Sequence, residues 1–449
     1  MRTSTMISAE MTKLDLATSE MPMKLRYGFN GRDNWRHFAL GPHRELIWAW
    51  LREMDTRIIR IFLFGKDAPE PVKEWDQFAA YVQAVLNVGA IPMVTCAKFP
   101  PPCDPRAVRS FADRCAEVVR HCIEEWGGEA VRDWYWCVGN EPNSEWVSGG
   151  LTFEQYRCIY EEVAQGLLRW LSPYLGERKP LIGGPAADGF QPFWIDWVWR
   201  FVNEIDNSLI GFVSWHRYGD WREPGEWGAP RDETIFRGLL MSRTLEYETR
   251  AKAVGRVLKG RDILNVCGEL AAHSHHDRHV RQPFNQTIFG AAYYASALLH
   301  LMRGGADAEI LWTRTDDTDR YGIMDKNGAA MPVFHAKKLC AKFIRYGDWI
   351  SFPKREQGIP SMDTVIARGE DGRRSALVVH LTDEPAKCNA YELTGQSGDF
   401  STLLKIDNGT GNRVVELPCD GTVTFEGYGV AVVTNTVPCT DEGSHIIRS

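Results

Sequence analysis

The chain has 449 residues, of which 44% are hydrophobic and 25% charged, with a formal net charge of −7. That balance excludes a surface built for nucleic acid or for an anionic membrane, and no apolar run approaches the roughly 20 residues that span a bilayer. The length exceeds one ordinary core, so a large domain followed by a smaller one is expected.

Residues 1–24 carry Glu10, Asp15 and Glu20 and no continuous apolar stretch. They read as an extension, disordered or paired with the C-terminal domain, and not as a secretory signal. Eleven cysteines are scattered without a CxxC pair or a zinc-like framework,. Reduced thiols and the missing signal place the expected location in the cytoplasm, with secretion open if a leader has been trimmed.

From 25 to 348, eight short apolar runs alternate with longer amphipathic stretches. The runs are 25–30, 56–64, 90–96, 134–139, 181–184, 210–215, 263–268 and 310–313. They are continuous rather than alternating, as parallel strands covered on both faces require. Segments 110–126, 152–171, 288–302 and 331–346 show apolar residues at three- and four-residue steps, the helical period,. Strand and helix repeated eight times predict an α/β fold, a closed (β/α)8 TIM barrel. From 349 to 449 the texture changes to short β-rich runs parted by Gly, Asp, Asn and Pro, which predicts an antiparallel β-sandwich,.

Catalytic groups on such a barrel come from the C-terminal ends of the strands. The fourth run ends in Gly139-Asn140-Glu141-Pro142. A carboxyl group behind so much apolar surface is disfavoured in its charged form, which suits a general acid, and Asn140 can bind a sugar hydroxyl. The plainer alternative is a glutamate at a helix N-terminus, with Pro142 early in the helix. The seventh run ends in Gly268-Glu269, where the alternative is a loop carboxylate paired with an arginine. Two glutamates closing strands four and seven project into one bowl.

These residues, with His216 and Tyr218 on strand six, Gly183 to Ala186 on strand five and Trp312 on strand eight, resemble the clan A glycoside hydrolases. The resemblance is greatest to family 39, the β-xylosidases and α-L-iduronidases. It implies a retaining glycosidase that acts through a covalent glycosyl-enzyme, with Glu141 as acid/base, Glu269 as nucleophile and carboxyl groups about 5–5.5 Å apart. It also suggests that Arg60 and Tyr218 hold Glu269 ionised, that His216 positions sugar or catalytic groups, and that Trp312 lies beneath the sugar. Two stretches depart from the β-xylosidases: Arg60-Ile61-Phe62 on strand two and Trp312-Thr313-Arg314-Thr315-Asp316 on strand eight. Arg314 beside the sugar would suit a uronate carboxylate, although Asp316 and Asp317 can neutralise it.

The expected partner is an oligosaccharide or glycoside, with exo action on a β-linked, xyloside-like substrate. Endo action, uronide specificity, transglycosylation and an inactive sugar-binding barrel stay open, as does the oligomeric state. No cofactor and no metal are expected. His273, His275, His276, Asp277 and His279 crowd one loop and read as a solvated segment, with metal binding the alternative. Trp221 and Trp227, in the segment 220–236, are candidates to line subsites.

Overall fold

The computed structural model describes residues 20–31, 35–64, 71, 73–274, 284–315, 321–353, 361–394, 400–436 and 446–448. Eight parallel strands close into a barrel in chain order: Arg26–Asn30, Thr56–Leu63, Ile91–Cys96, Tyr135–Val138, Ile182–Ala187, Phe212–Asp220, Leu264–His273 and Ala308–Leu311. Helices follow the strands, among them Trp75–Val88, Pro105–Trp126, Phe153–Leu175, Trp194–Glu204, Leu245–Val257, Ile288–Gly304 and Pro332–Phe343. Local chemistry sets several of their ends. Asp104 caps Pro105–Trp126 through the Arg106 amide, with proline in the first turn,. Thr152 and Gln155 form a reciprocal capping box on Phe153–Leu175,.

The period of two along each strand sorts its residues. On strand two, Ile59, Ile61 and Leu63 face outward into the main core, whereas Ile58 packs inside the barrel and Phe62 joins an aromatic cluster at its mouth. Ile58, Met93, Tyr135, Phe212, Val266 and Ile310 share one apolar cluster that fills the barrel interior. Above this apolar floor the inward positions turn polar, and the site is built there.

The C-terminal region is a sandwich of unequal layers. An eight-stranded sheet runs in the order Met21–Pro22, Trp349–Ser351, Met362–Arg368, Arg374–His380, Gly429–Thr434, Thr402–Asp407, Val414–Pro418 and Ile446–Arg448. Residues 21–22 thus pair antiparallel with 349–350. Alternate side chains of the sheet, such as Val365, Leu377, Val379, Ile406 and Val430, belong to the barrel's own core. Their neighbours Ile366, Ala376, Val378, Leu403 and Val433 pack under a two-stranded ribbon, Ala386–Asn389 with Thr422–Phe425. Trp349–Ser351 and Ala386–Asn389 carry too little β-pattern to be seen in the sequence.

Two barrel strands differ from their sequence-based limits. Strands six and seven continue past the apolar runs to Asp220 and His273, pairing His216 with Glu269, Tyr218 with Ala271 and Asp220 with His273. Glu269 therefore lies within its strand instead of ending it. Tyr218 is a strand residue, and Arg60 sits three residues before the end of strand two. These polar stretches stay extended because each continues to hydrogen-bond to the other above the barrel.

Candidate active site

A bulge aims Glu269 into the barrel. Trp215 pairs with Cys267 and His216 with Glu269, so Gly268 is an extra residue against strand six. Val266 faces the interior and Cys267 faces out. Strict alternation would then send Glu269 outward with Cys267, and the inserted residue reverses the phase. Glycine fits at position 268 without moving its neighbour, because a Cβ there would lie 2.2 Å from Ser214 Oγ.

Glu269 is then held on both oxygens. Arg60 Nη1 donates to Oε1 at 2.6 Å and the Tyr218 hydroxyl donates to Oε2 at 2.6 Å. Arg60 is fully buried, and its fork is fixed by Asn140 Oδ1 at 2.7 Å, Thr95 Oγ1 at 3.0 Å and Asn30 Oδ1 at 3.3 Å. Burial and the adjacent Glu269 charge push the Tyr218 hydroxyl well above its ordinary range, so it remains a donor,. The arginine partner weighed for Glu269 in the sequence is real, but the pair lies inside the barrel and not on a loop.

Glu141 follows strand four in a different environment. Its backbone has φ +47°, in the left-handed region, and is fixed by its amide to the Ala186 carbonyl at 3.0 Å and by Ser148 Oγ to its own carbonyl at 2.8 Å. Pro142 begins no helix, since the next one spans Glu145–Ser148. His216 Nδ1 lies 2.7 Å from Glu141 Oε1, and Arg60 Nη1 lies 3.4 Å from the other ring nitrogen. A guanidinium can only donate, so Nε2 accepts and Nδ1–H donates to Glu141. Burial lowers the pKa of His216 to about 4, so the ring is neutral near pH 7,.

One oxygen each of Glu141 and Glu269, with a nitrogen of His216, lie within 4.8 Å of one another. Among the described residues this is the one trio of His, Cys, Asp or Glu so placed for a metal ion. The donor set fits an ion poorly, because His216 presents a proton to Glu141 and the Arg60 guanidinium already neutralises Glu269. The wall around the carboxylates is aromatic: Phe62, Tyr218, Trp312 and Tyr321 cluster with Ala271, and Phe190 stacks on Tyr218.

Asn140, Arg60, His216, Tyr218 and Trp312 thus converge with the two glutamates. Asn140 gives one lone pair of its Oδ1 to Arg60,. Arg314 does not join them. It is fully buried, with its guanidinium over the Phe38 ring at 4.1 Å and toward the Gly31 carbonyl at 3.3 Å. The strand ends at Leu311, so alternation no longer aims residue 314 inward, and the uronate clasp loses its cation. Asn30 and Thr95 were not foreseen. Asn30 closes strand one as a polar residue and was open to the same rule as Glu141, whereas Thr95 inside an apolar run carries no signal. His273 braces a loop by donating Nε2–H to the Arg222 carbonyl at 2.7 Å. His275, His276, Asp277, His279, Asp316 and Asp317 lie outside the described residues.

The sequence profile of the glycosyl hydrolases family 39 matches residues 99–342, more than half of the chain. The chain belongs to that family. Relatives named β-xylosidase come from Caldicellulosiruptor saccharolyticus, 21% identical over 292 residues, and Geobacillus stearothermophilus, 24% identical over 296. The matches cover 63% and 62% of this chain but 55% and 53% of those proteins, so the chain spans about half their length. The fold is shared with a monomeric β-xylosidase from Caulobacter crescentus, at a TM-score of 0.63 and 17% identity over 94% of this chain and 98% of that one. It is shared too with a family 51 α-L-arabinofuranosidase from Bifidobacterium longum, at 0.66 and 14% over 93% and 97%.

Proposed function

We propose that the chain is a retaining glycosidase, exo-acting on β-linked, xyloside-like glycosides or short oligosaccharides. Glu269 is the nucleophile and Glu141 the acid/base. The observation that carries this reading is the close approach of two carboxylates in unlike settings. One oxygen of each lies within 4.8 Å of an oxygen of the other, a close approach of the kind expected of retaining enzymes, whose carboxyl groups stand about 5–5.5 Å apart. Glu269 is held on both oxygens, by a guanidinium and by a hydroxyl donor, as a positioned attacking group. Glu141 instead accepts from a neutral imidazole.

In the first step Glu269 attacks the anomeric carbon while Glu141 protonates the departing oxygen. Because His216 occupies Oε1 of Glu141, the transferable proton belongs on Oε2. Formation of the glycosyl ester removes the charge of Glu269, and Glu141, now a carboxylate, takes a proton from the incoming water. The β-xylosidase names of both relatives support a β-linked, xylose-like glycone. The test is proton NMR of the first sugar released from an aryl β-xyloside or a related donor. The β-anomer should appear first and then mutarotate; an initial α-anomer would contradict the mechanism.

A further inference from the structure

Among the described residues, the two most exposed large apolar side chains are Trp146, 94% exposed, and Trp227, 83% exposed. An indole left in water forgoes the burial that side chains of its size usually find. Both lie on loops that leave C-terminal strand ends, one after the strand that leads to Glu141 and one after the strand of His216 and Tyr218. That is the face on which the carboxylates sit.

Each loop is anchored to the site. The buried Asp220 carboxylate accepts from Arg222 Nη2 at 2.8 Å and from Arg243 Nη1 at 2.7 Å. Arg222 Nη1 in turn donates to the Trp227 carbonyl at 3.3 Å, and His273 of strand seven donates to the Arg222 carbonyl. The Gly225 amide closes the loop on the Pro230 carbonyl at 3.0 Å. At its tip Trp227 has φ +45°, a left-handed backbone that is unfavourable for so bulky a residue,. On the other side, Ser148 Oγ lies 2.8 and 2.9 Å from the carbonyls of Glu141 and Pro142, which share its one proton and tie the short helix that carries Trp146 to the acid/base. Asp220 stands two residues beyond Tyr218, whose hydroxyl touches Glu269. At about 3.3 Å per strand residue, the base of the Trp227 loop is about 7 Å along the strand from the backbone of Tyr218.

We propose that Trp227 and Trp146 form a leaving-group subsite that holds the second and third rings of a β-linked oligosaccharide at the mouth of the pocket. This rests on the exo-glycosidase reading: the sugar that reacts lies between the carboxylates, and the rest of the chain leaves past the rim. A pyranose offers an apolar C–H face to an indole, and a side chain with only two χ angles loses little entropy when it stacks. The acid/base protonates the leaving oxygen, so the loop next to Glu141 borders the leaving group and not the sugar retained on the enzyme.

The test compares wild type, Trp227→Ala, Trp146→Ala and the double variant on methyl β-xyloside and on β-1,4-xylo- and gluco-oligosaccharides of two to four rings. The reading is the ratio of kcat/KM for a trisaccharide to that for the methyl glycoside. Each substitution should lower the ratio roughly two- to tenfold, the range of one aromatic stacking contact, and the double variant further. An unchanged ratio, in an enzyme that still hydrolyses both substrates, overturns the subsite and leaves the glycosidase reading intact. If no glycoside is hydrolysed, the glycosidase reading fails and calorimetric titration with the same oligosaccharides decides the platform. Affinity that rises with ring number in wild type and is lost in the double variant supports it; equal affinity in both proteins, or no binding, overturns it.

Discussion

His216 gives the sharpest test of how the acid/base works. Replacing it by phenylalanine keeps a ring in the buried space and removes the donor that lies 2.7 Å from Glu141 Oε1. As Glu141 gives up its proton it becomes a carboxylate, so this hydrogen bond strengthens in the transition state and contributes to rate as well as to binding. A hydrogen bond to a charged group is worth about 1.5–3 kcal/mol, and 1.36 kcal/mol is tenfold in rate. The variant should therefore lose about 10- to 150-fold in kcat/KM on donors whose leaving group needs protonation, such as alkyl glycosides or disaccharides. On a dinitrophenyl glycoside, which departs without a proton, kcat/KM should change little. Equal losses on both donors would refute the link from His216 to Glu141. Stability supplies a second reading. The His216 pKa lies at about 4 in the folded chain against 6.5 when exposed, so the unfolded chain binds the extra proton between those values. Wild-type stability should rise from pH 4 to 6.5 by about 3 kcal/mol from this group, and the variant should lose that slope.

Two further outcomes follow from the packing. Gly268→Ala would drive a Cβ onto Ser214 Oγ, which costs about 1–3 kcal/mol of stability on denaturant unfolding and should abolish turnover by disturbing the bulge; full activity would show that the phase reversal is not needed. At the junction of the two domains, His300 Nδ1 meets Glu248 Oε2 at 3.2 Å and Nε2 meets Asp363 Oδ2 at 3.3 Å, while Ser296 also donates to Asp363, Lys252 pairs with Glu248, and Arg303 stands 3.8 Å from Glu248. Burial works against the imidazolium, but the two carboxylates outweigh it and hold the pKa above its ordinary value. Its stabilisation is then complete below about pH 6.5 and is lost as pH rises through the folded pKa. The melting temperature of wild type should fall across that window and that of His300→Gln should not; parallel curves would contradict the assignment.

The barrel was legible because its strands are apolar runs with helical stretches between them, and the two glutamates stood out as the charges that close such runs. Strands six and seven were cut short because HRYGD and ELAAH look like loop, although pairing above the barrel keeps them extended. The bulge that turns Glu269 inward has no mark in the sequence beyond Gly268. Arg314 misled because closeness to Trp312 in the chain implies a shared wall only while the strand continues, and it stops at Leu311. Arg60 was visible as a charge in an apolar run, but its cage of Asn30, Thr95 and Asn140 draws on three other strands or their ends. Such a cage is set by register, which local pattern does not encode.

The most direct test of the central claim, that Glu269 is the nucleophile opposite an acid/base at Glu141, is azide rescue of Glu269→Ala. On an activated aryl β-glycoside cleaved by wild type, the variant alone should be nearly inert. Added azide should restore turnover and yield the α-glycosyl azide, because the small anion enters from the face that Glu269 has vacated. Wild-type activity in the variant, or rescue that yields the β-azide, would contradict the account.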